Sequence, residues 1–277
     1  MKSSKNEYGI NPEFLPPESL WQAVEPLLPA EPAKPKGGRP RVSDRQLFFA
    51  IFYVLRTGCQ WKALPRSLGA PSTAHLRFQQ WVAAGVFHTL WTLGLMQCHV
   101  EGRLDFTWQS IDGCMTKAPL GGAGTGPNPT DRGKDGTKRN LLTEGGGLPT
   151  GLAVSGANAH DMTQVQAVLD SMPLLPPWPT EEDEQHFCAD KGYDYESVRR
   201  LAWRHGYVDH IKSRGEEKQA LKTPGYRARR WVNERTHSWM NRFRRILIRW
   251  EKKLENYLAF LHLVCALIVW RRSEVFG

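Results

Sequence analysis

The sequence predicts a mixed α/β protein that begins with an all-helical region. Two observations predict it: apolar residues recur at helical spacing over about the first hundred residues, and strand-like runs then alternate with helical segments. With 277 residues, of which 40% are hydrophobic, the chain can form one large domain or two ordinary ones. We predict a helical N-terminal region over residues 1–103 and an α/β region over residues 104–277.

In the first region, a short helix over Ser19–Leu28 ends at Pro29, and a linker rich in proline, glycine and lysine follows up to Pro40. Ser43 can cap the next helix by accepting a hydrogen bond from a free backbone N–H, and Gly58 can end that helix. The two remaining helices of this region are predicted over Ser72–Trp81 and Val86–Val100.

The second region has strand-like composition in Phe106–Met115 and in Leu148–Val154. The stretch between them, Gly121–Gly147, is rich in glycine and proline, so we predict mostly loop with a short strand at Arg139–Thr143. The later elements are predicted in the order helix, strand, helix, strand and two long helices: Asp161–Leu169, His186–Ala189, Tyr195–His205, Tyr207–Ile211, Arg229–Trp250 and Leu254–Arg271.

The charge balance restricts the class of partner. A net charge of +9 and a pI near 9.4 indicate an anionic partner. The five cysteines show no metal-site or disulfide spacing, which is typical of free thiols in a reducing compartment. The N-terminus has no apolar signal, and Tyr257–Trp270 is short for a membrane span. We therefore expect a soluble cytoplasmic protein that binds nucleic acid and has no membrane partner.

Three acids have the placement that phosphodiester chemistry needs. Asp112 follows one predicted strand, Asp190 follows another, and Glu234 lies on a strongly basic helix. Carboxylate oxygens are the ligands that Mg²⁺ prefers, and two such ions about 4 Å apart can neutralise the attacking and leaving oxygens. Taken singly, an Asp at a strand end more often caps a turn.

Five sequence blocks around these acids strengthen the case. In chain order they are SIDGCMTK, GPNPTDRGKDGTKRNLLT, GLPTGLAVSGANAHD, CADKGYDYE and RRWVNERTHSWMNRFRRI. Together they resemble bacterial insertion-sequence DDE transposases, within the insertion sequence five group of the insertion sequence four superfamily. The resemblance extends from about Leu15 to the end of the chain.

The resemblance implies an RNase H-like catalytic fold with Asp112, Asp190 and Glu234 as catalytic residues and metal ligands. It implies Mg²⁺ as the cofactor, with Mn²⁺ as a substitute. It also implies a two-step reaction: hydrolysis at the end of the element frees a 3′-OH, which then attacks target DNA. The expected partners are double-stranded DNA, as terminal repeats and target, and further copies of the chain in a dimer or larger assembly. The expected location is the bacterial cytoplasm, at the nucleoid.

The chain departs from the superfamily pattern near the glutamate. Arg230 lies four residues before Glu234, as the pattern requires, but Tyr226 lies four residues before Arg230 where three are expected. Asn241 stands where the pattern has a lysine. The nearby arginines, which can supply the missing charge, are Arg242, Arg244 and Arg245.

The helical period of this segment predicts two faces. One is an apolar stripe that includes Val232 and Trp239; the other contains Arg230, Glu234, His237, Ser238, Asn241 and Arg245. An ordinary amphipathic helix would expose the second face to solvent, whereas a catalytic helix would turn it towards metal and DNA. If the stripe packed flat on the sheet, Glu234 would point away from the aspartates. The helix must therefore pack obliquely, or the faces are misassigned.

DNA contacts are predicted at basic and polar positions. Gly38–Arg41 has the composition of an arm that lies in an AT-rich minor groove, although a plain linker is as good an interpretation. The helices up to Val100 form either a helix-turn-helix reader or a cap on the catalytic region. The residues predicted to contact DNA are Arg39, Arg41, Arg132, Lys134, Lys138, Lys191, Arg230, His237, Asn241, Arg244 and Arg245.

Other chemistries lack their motifs. The glycine-rich Gly121–Gly126 is not followed by a predicted helix, and Gly133-Lys134 is not followed by Ser or Thr, so neither supports nucleotide binding. The alternatives that stay open are a transposase-derived DNA-binding regulator without activity and a nuclease that does not join strands.

Overall fold

The computed structural model describes residues 6–31, 40–212, 216 and 231–274. Four helices make up the N-terminal region: α1 (Glu18–Val24), α2 (Asp44–Thr57), α3 (Pro71–Ala83) and α4 (Val86–Val100). The strands are β1 (Trp108–Lys117), β2 (Gly126–Pro127), β3 (Asp135–Glu144), β4 (Pro149–Gly156), β5 (Gln185–Ala189) and β6 (Tyr207–Ile211). The other described helices are α5 (Val165–Asp170), α6 (Glu196–Arg204), α7 (Trp231–Met240), α8 (Arg244–Leu247) and α9 (Leu254–Glu274).

The six strands form one mixed sheet. β1 pairs with β3 antiparallel and with β5 parallel, and β6 extends the sheet parallel to β5. β2 and β4 both pair with the outer edge of β3. Three antiparallel strands followed by two parallel ones, with β1 in the middle, are the arrangement of an RNase H-like sheet. The mixed α/β prediction with a helical start is confirmed.

Two apolar clusters cover the two faces of the sheet. On one face, Leu141 and Leu152 contribute to a cluster that includes the buried sides of α1–α4 and α9. On the other face, Ile111 and Leu142 pack against α5 and α6. The N-terminal helices therefore share one hydrophobic core with the closing helix. A division at residue 103 into separate functional domains stays a prediction.

The closing helix α9 passes the length and composition test for a membrane span over Leu254–Arg272. Buried core helices pass the same test, and 67% of this stretch is buried within the fold. Phe260, Leu261 and Val264, for example, are completely buried among the N-terminal helices. The structure thus accounts for the apolar run as core, in agreement with the sequence prediction.

The strand predicted at Arg139–Thr143 is present, but it is twice as long as predicted. β3 is a ten-residue strand, and several buried polar side chains near its start bind partners from other segments. Thr137 Oγ1 donates to the carbonyl of Ser155, Lys138 pairs with Asp161, and Asn140 donates to Ser155 Oγ. Polar composition conceals a buried strand when its polar groups are satisfied within the fold.

A single long helix up to Trp250 was also a wrong prediction. α7 ends at Met240, and only the short α8 follows before the backbone becomes extended at Ile248. There the chain meets the end of β1: Ile248 forms a bridge with Lys117, and the Arg249 N–H donates to the Lys117 carbonyl. Pairing with the sheet thus replaces helical hydrogen bonds.

Candidate active site

The two aspartates lie side by side where β1 and β5 stop pairing. The parallel register matches Ser110 with Cys188, and Asp112 and Asp190 each lie two residues further along. Since side chains of a strand alternate, residues two apart point to the same side of the sheet. Adjacent strands are about 4.8 Å apart, so this register brings the two carboxylates together.

Local hydrogen bonds orient both carboxylates. Asp112 Oδ1 accepts from the N–H of Gly113 at 2.8 Å. Asp190 ends β5 and caps a 3₁₀ turn, where its Oδ1 accepts from the N–H of Gly192 at 2.7 Å. These bonds use Oδ1 and leave the second oxygen, Oδ2, of each aspartate for another ligand. Neither aspartate forms an ion pair with any residue that the structure describes.

Glu234 lies on the solvent side of α7. The buried face of this helix consists of Val232, Asn233, Thr236, His237 and Met240. The helix is anchored at the β3–β4 turn, where Arg235 Nη2 and Thr236 Oγ1 donate to the carbonyls of Gly146 and Gly147. Glu234 does not belong to this buried face, and its side chain is exposed.

The helix faces drawn from the sequence were misassigned. His237, placed there on the polar face, is 6% exposed, and Trp239 of the apolar stripe is partly exposed. The two faces were drawn for a single helix up to Trp250, although α7 ends ten residues earlier. With the corrected phase Glu234 is exposed, and its negative charge still acts on Asp112.

Electrostatics confirm that the acids are near one another. The pKa of Asp112 is raised from 3.8 to about 6, first by burial and then by the negative charges of Asp190, Asp161 and Glu234. Within the described residues, no group of three His, Cys, Asp or Glu side chains converges closely enough to hold a metal ion. The acids thus form a site of concentrated negative charge without a closed ligand shell.

His237 and Arg139 lie beneath the site. Arg139 is 1% exposed, and its Nη2 donates to Asn241 Oδ1 at 2.9 Å. Burial, and secondarily the Arg139 charge, lowers the pKa of His237 to about 3. Burial thus favours the neutral form of His237.

The residues predicted to contact DNA divide by exposure. Those on the surface are Arg132, Lys134, Lys191, Asn241 and Arg244. Arg41 is half-buried and forms an ion pair with Asp44. Arg39 and Arg230 lie outside the described residues, as does Tyr226, the residue whose spacing differs from the superfamily pattern.

Three of the predicted DNA contacts are buried, and we correct their assignment. Lys138 is 7% exposed and forms an ion pair with Asp161. Arg245 is 5% exposed and forms an ion pair with Glu251. His237 is the third. Sequence spacing alone does not distinguish a basic residue on a DNA-facing surface from one paired inside the fold.

Asp161 and Tyr193 are site residues to which the sequence had given no role in the chemistry. From the sequence, Asp161 was expected to start a helix, with a substrate contact as the less favoured alternative. It begins a 3₁₀ turn directly before α5 and lies close enough to influence the pKa of Asp112. Tyr193 is 1% exposed, three residues after Asp190. The available signal for Asp161 was its acidic side chain at the end of GLPTGLAVSGANAHD, one of the five blocks that carry the family resemblance.

A cavity of about 310 Å³ lies away from these acids, between the end of α7, the β3–β4 turn and α9. Trp239, Phe243 and Leu267 contribute apolar walls, and Arg242 and Arg271 contribute charge. None of the acids lines it. The cavity is therefore separate from the candidate active site.

Two family models match the chain. One, described as "Transposase DDE domain", matches residues 105–269. The chain belongs to the DDE transposase family. The second model, described as "Putative transposase of IS4/5 family", matches residues 17–91, so the resemblance to the insertion sequence four superfamily is confirmed.

Curated relatives agree with this assignment. The transposase chain is 39% identical over 156 residues to the "Putative transposase for insertion sequence element IS402" of Burkholderia cepacia, covering 54% of this chain and 72% of that protein. It is 36% identical over 118 residues to the "Insertion element IS402 uncharacterized 16.2 kDa protein" of the same organism, covering 40% and 79%.

Among solved structures, the Mos1 strand transfer complex matches with 10% identity and a TM-score of 0.27, covering 86% of this chain and 81% of that chain. The Mos1 mariner paired end complex with Mn matches with the same identity and TM-score. Nothing about this DDE transposase is inferred from a likeness at this level.

Proposed function

We propose that this DDE transposase cleaves the ends of its insertion sequence and joins them to target DNA, with Asp112, Asp190 and Glu234 as catalytic residues and metal ligands. The observation that supports this most directly is the register of β1 and β5, which brings Asp112 and Asp190 together. Glu234 adds a third negative charge that reaches Asp112.

The chemistry of the donor set fits Mg²⁺, or Mn²⁺ in its place. All three side chains offer hard carboxylate oxygens, and none is neutralised by an ion pair within the described part of the chain. Burial, and then repulsion from the neighbouring acids, raises the pKa of Asp112, and a divalent cation would relieve that repulsion. When bound, two such ions would stabilise the charge on the attacking and leaving oxygens of the phosphodiester.

The chain's own residues hold and orient the DNA in this proposal. Arg132 and Lys134 lie exposed on the loop between β2 and β3, and Lys191 is exposed directly after Asp190. Such cations hold phosphates without reading sequence. Catalysis then rests on positioning and on electrostatic stabilisation, and proton transfer by His237 is not required.

The partners follow from the reaction. The proposed substrates are double-stranded DNA at the terminal repeats and at the target, in the bacterial cytoplasm at the nucleoid. Because two ends must be joined, we propose a dimer or larger assembly on DNA. The helices up to Val100 are proposed to bind the terminal repeats, and their shared core with α9 would fix that DNA relative to the acids.

The test is cleavage in vitro of a plasmid that contains the gene with its native flanks, with Mg²⁺ or Mn²⁺. Wild type is compared with Asp112→Asn, Asp190→Asn and Glu234→Gln, and DNA binding is measured in parallel. The expected result is breaks at the element ends plus joined products, all lost in each variant while DNA binding persists. Binding without any metal-dependent cleavage would instead indicate a regulator, and breaks without joined products would indicate a nuclease.

A further inference from the structure

Asp161 lies between the two segments that bear the catalytic aspartates. A Cβ built on Gly113, the residue after Asp112, would lie 2.9 Å from Asp161 Oδ1. A Cβ built on Gly192, two residues after Asp190, would lie 3.8 Å from Asp161 Oδ2. Both positions are glycine, and the Asp161 carboxylate uses the space that side chains there would occupy.

Lys138 fixes the orientation of this carboxylate. Its Nζ donates to Asp161 Oδ1 at 2.7 Å and to the carbonyl of Ala159 at 2.8 Å. The Lys138 side chain is 9% exposed, whereas that of Asp161 is 34% exposed. The Oδ1 oxygen of Asp161 is thus held by the buried ammonium group of Lys138. The Oδ2 oxygen faces Gly192, in a side chain that is partly exposed.

Two buried polar groups beside Asp161 have no hydrogen-bond partner among the described residues. The Tyr193 hydroxyl belongs to a side chain that is 1% exposed, and the charges of Asp161, Asp112 and Asp190 all act on it. Asn140 is completely buried, and its unpartnered Oδ1 lies 3.2 Å from the Cβ position of Gly113. Buried polar groups in proteins are normally satisfied by protein or by ordered water, so these two point to a hydrated ligand at the acids.

We propose that Asp161 is a fourth acid of the divalent-cation site, which binds the hydration shell of the cation held by Asp112 and Asp190. Lys138 is the positioning residue that keeps Oδ1 in place and leaves Oδ2 for this contact. The inference rests on the proposed function, because it assumes a cation at Asp112 and Asp190. This role of Asp161 can be distinguished from a purely structural ion pair with Lys138. The distinguishing quantity is the sign of the change in cation affinity when each of the two residues is replaced.

The two members of the pair must act in opposite directions on cation binding. Asp161→Asn keeps the shape and removes a negative charge, so the affinity for Mn²⁺ should fall by about 10- to 100-fold, the range typical of outer-shell ligands. Lys138→Met keeps the apolar stem and removes a positive charge, so the affinity should stay equal or rise. A purely structural pair would instead give the same change for both variants.

The experiment titrates Mn²⁺ into the full chain without DNA and follows free Mn²⁺ by electron paramagnetic resonance. Asp112→Asn is the control for the proposed site, and thermal melts verify that each variant is folded; Lys138→Gln replaces Lys138→Met if that variant is not. Weaker binding by Asp112→Asn and Asp161→Asn, but not by the Lys138 variant, supports the inference. If Asp112→Asn weakens binding and Asp161→Asn does not, or if the Lys138 variant weakens it equally, Asp161 has no role in the cation site and the proposed function stands. Unchanged binding by Asp112→Asn would overturn both.

Discussion

Arg139 on β3 donates a hydrogen bond to Asn241, the residue that follows α7, over 2.9 Å. The superfamily pattern has a lysine at this position, and here an amide instead accepts from a buried arginine of the sheet. The bond ties the C-terminal end of α7 to β3, while Arg235 and Thr236 tie the helix to the β3–β4 turn. Glu234 thus projects from a helix that is attached to the sheet region at its middle and just beyond its C-terminal end.

Asn241→Leu should destabilise the fold. It leaves the Arg139 guanidinium, which is 1% exposed, with only the Cys114 sulfur at 3.3 Å as a partner. Leaving a buried charged group unpaired costs about 1.5–3 kcal/mol of unfolding free energy, measurable by urea denaturation. Asn241→Asp, which keeps an acceptor, should lose less, and the exposed Ser238→Ala is the control. An Asn241→Leu protein as stable as wild type would show that this bond contributes nothing.

The exposed loop between β2 and β3 should contribute DNA affinity without specificity. Arg132→Ala and Lys134→Ala should each weaken binding to any duplex and reduce the slope of log affinity against log salt by about one. Arg200→Ala, on the exposed face of α6, is the matched control and should leave the slope unchanged. Equal effects at all three positions would mean that overall charge, not this loop, sets the affinity.

The stability of the metal-free protein should depend on pH through Asp112. Its pKa is about 6 in the fold, above the ordinary 3.8, because burial and neighbouring acids disfavour the charged form. The stability due to its protonation is fully present below pH 3.8 and is lost as the pH rises through 6. Relative to wild type, Asp112→Asn should therefore gain more stability at pH 8 than at pH 5. With pKa values of 3.8 and about 6, the gain at pH 8 exceeds that at pH 5 by at most about 1.4 kcal/mol, and solvent screening at the carboxylate lowers this difference.

Urea denaturation in a chelator at the two pH values measures this, because a divalent cation would itself shift the titration. Histidines elsewhere titrate in both proteins and cancel in the comparison. A stability difference between wild type and Asp112→Asn that is the same at both values would contradict the raised pKa.

The cap of α2 can be tested on its own. Ser43 Oγ accepts from the Gln46 N–H at 3.2 Å, as the sequence predicted. Ser43→Ala should lower the unfolding free energy by about 1 kcal/mol, whereas Ser43→Gly should cost only a few tenths. Indistinguishable Ala and Gly variants in thermal or urea unfolding would mean that the cap does not act through its hydroxyl.

Elements fixed by local chemistry could be predicted from the sequence. Ser43 caps α2, and Gly58 ends it with a φ of 70°, a conformation that glycine adopts easily. Val86–Val100 and Tyr207–Ile211 were predicted with the bounds observed. Asp112 and Asp190 were also found by local signals, since each follows a strand-like run.

Elements fixed by distant partners could not be predicted in the same way. The polar start of β3 is buried only because Asp161, Asn241 and Ser155 meet it from other segments. The helical segment that begins with α7 is over by Ile248, where the chain pairs with Lys117 at the end of β1, more than a hundred residues away in sequence. Asp161 reaches the site through the same long-range packing, which no local period reveals.

The central claim, that Asp112 binds the catalytic cation, is tested most directly by Asp112→Cys. A thiolate is a softer ligand than a carboxylate and binds Mn²⁺ in preference to Mg²⁺. Cleavage of the element ends is measured with each metal, and DNA binding verifies the fold. We predict that Asp112→Cys is inactive with Mg²⁺ and recovers activity with Mn²⁺, while wild type works with both. Activity that is equal with the two metals, or absent with both in a variant that still binds DNA, would contradict direct ligation by Asp112.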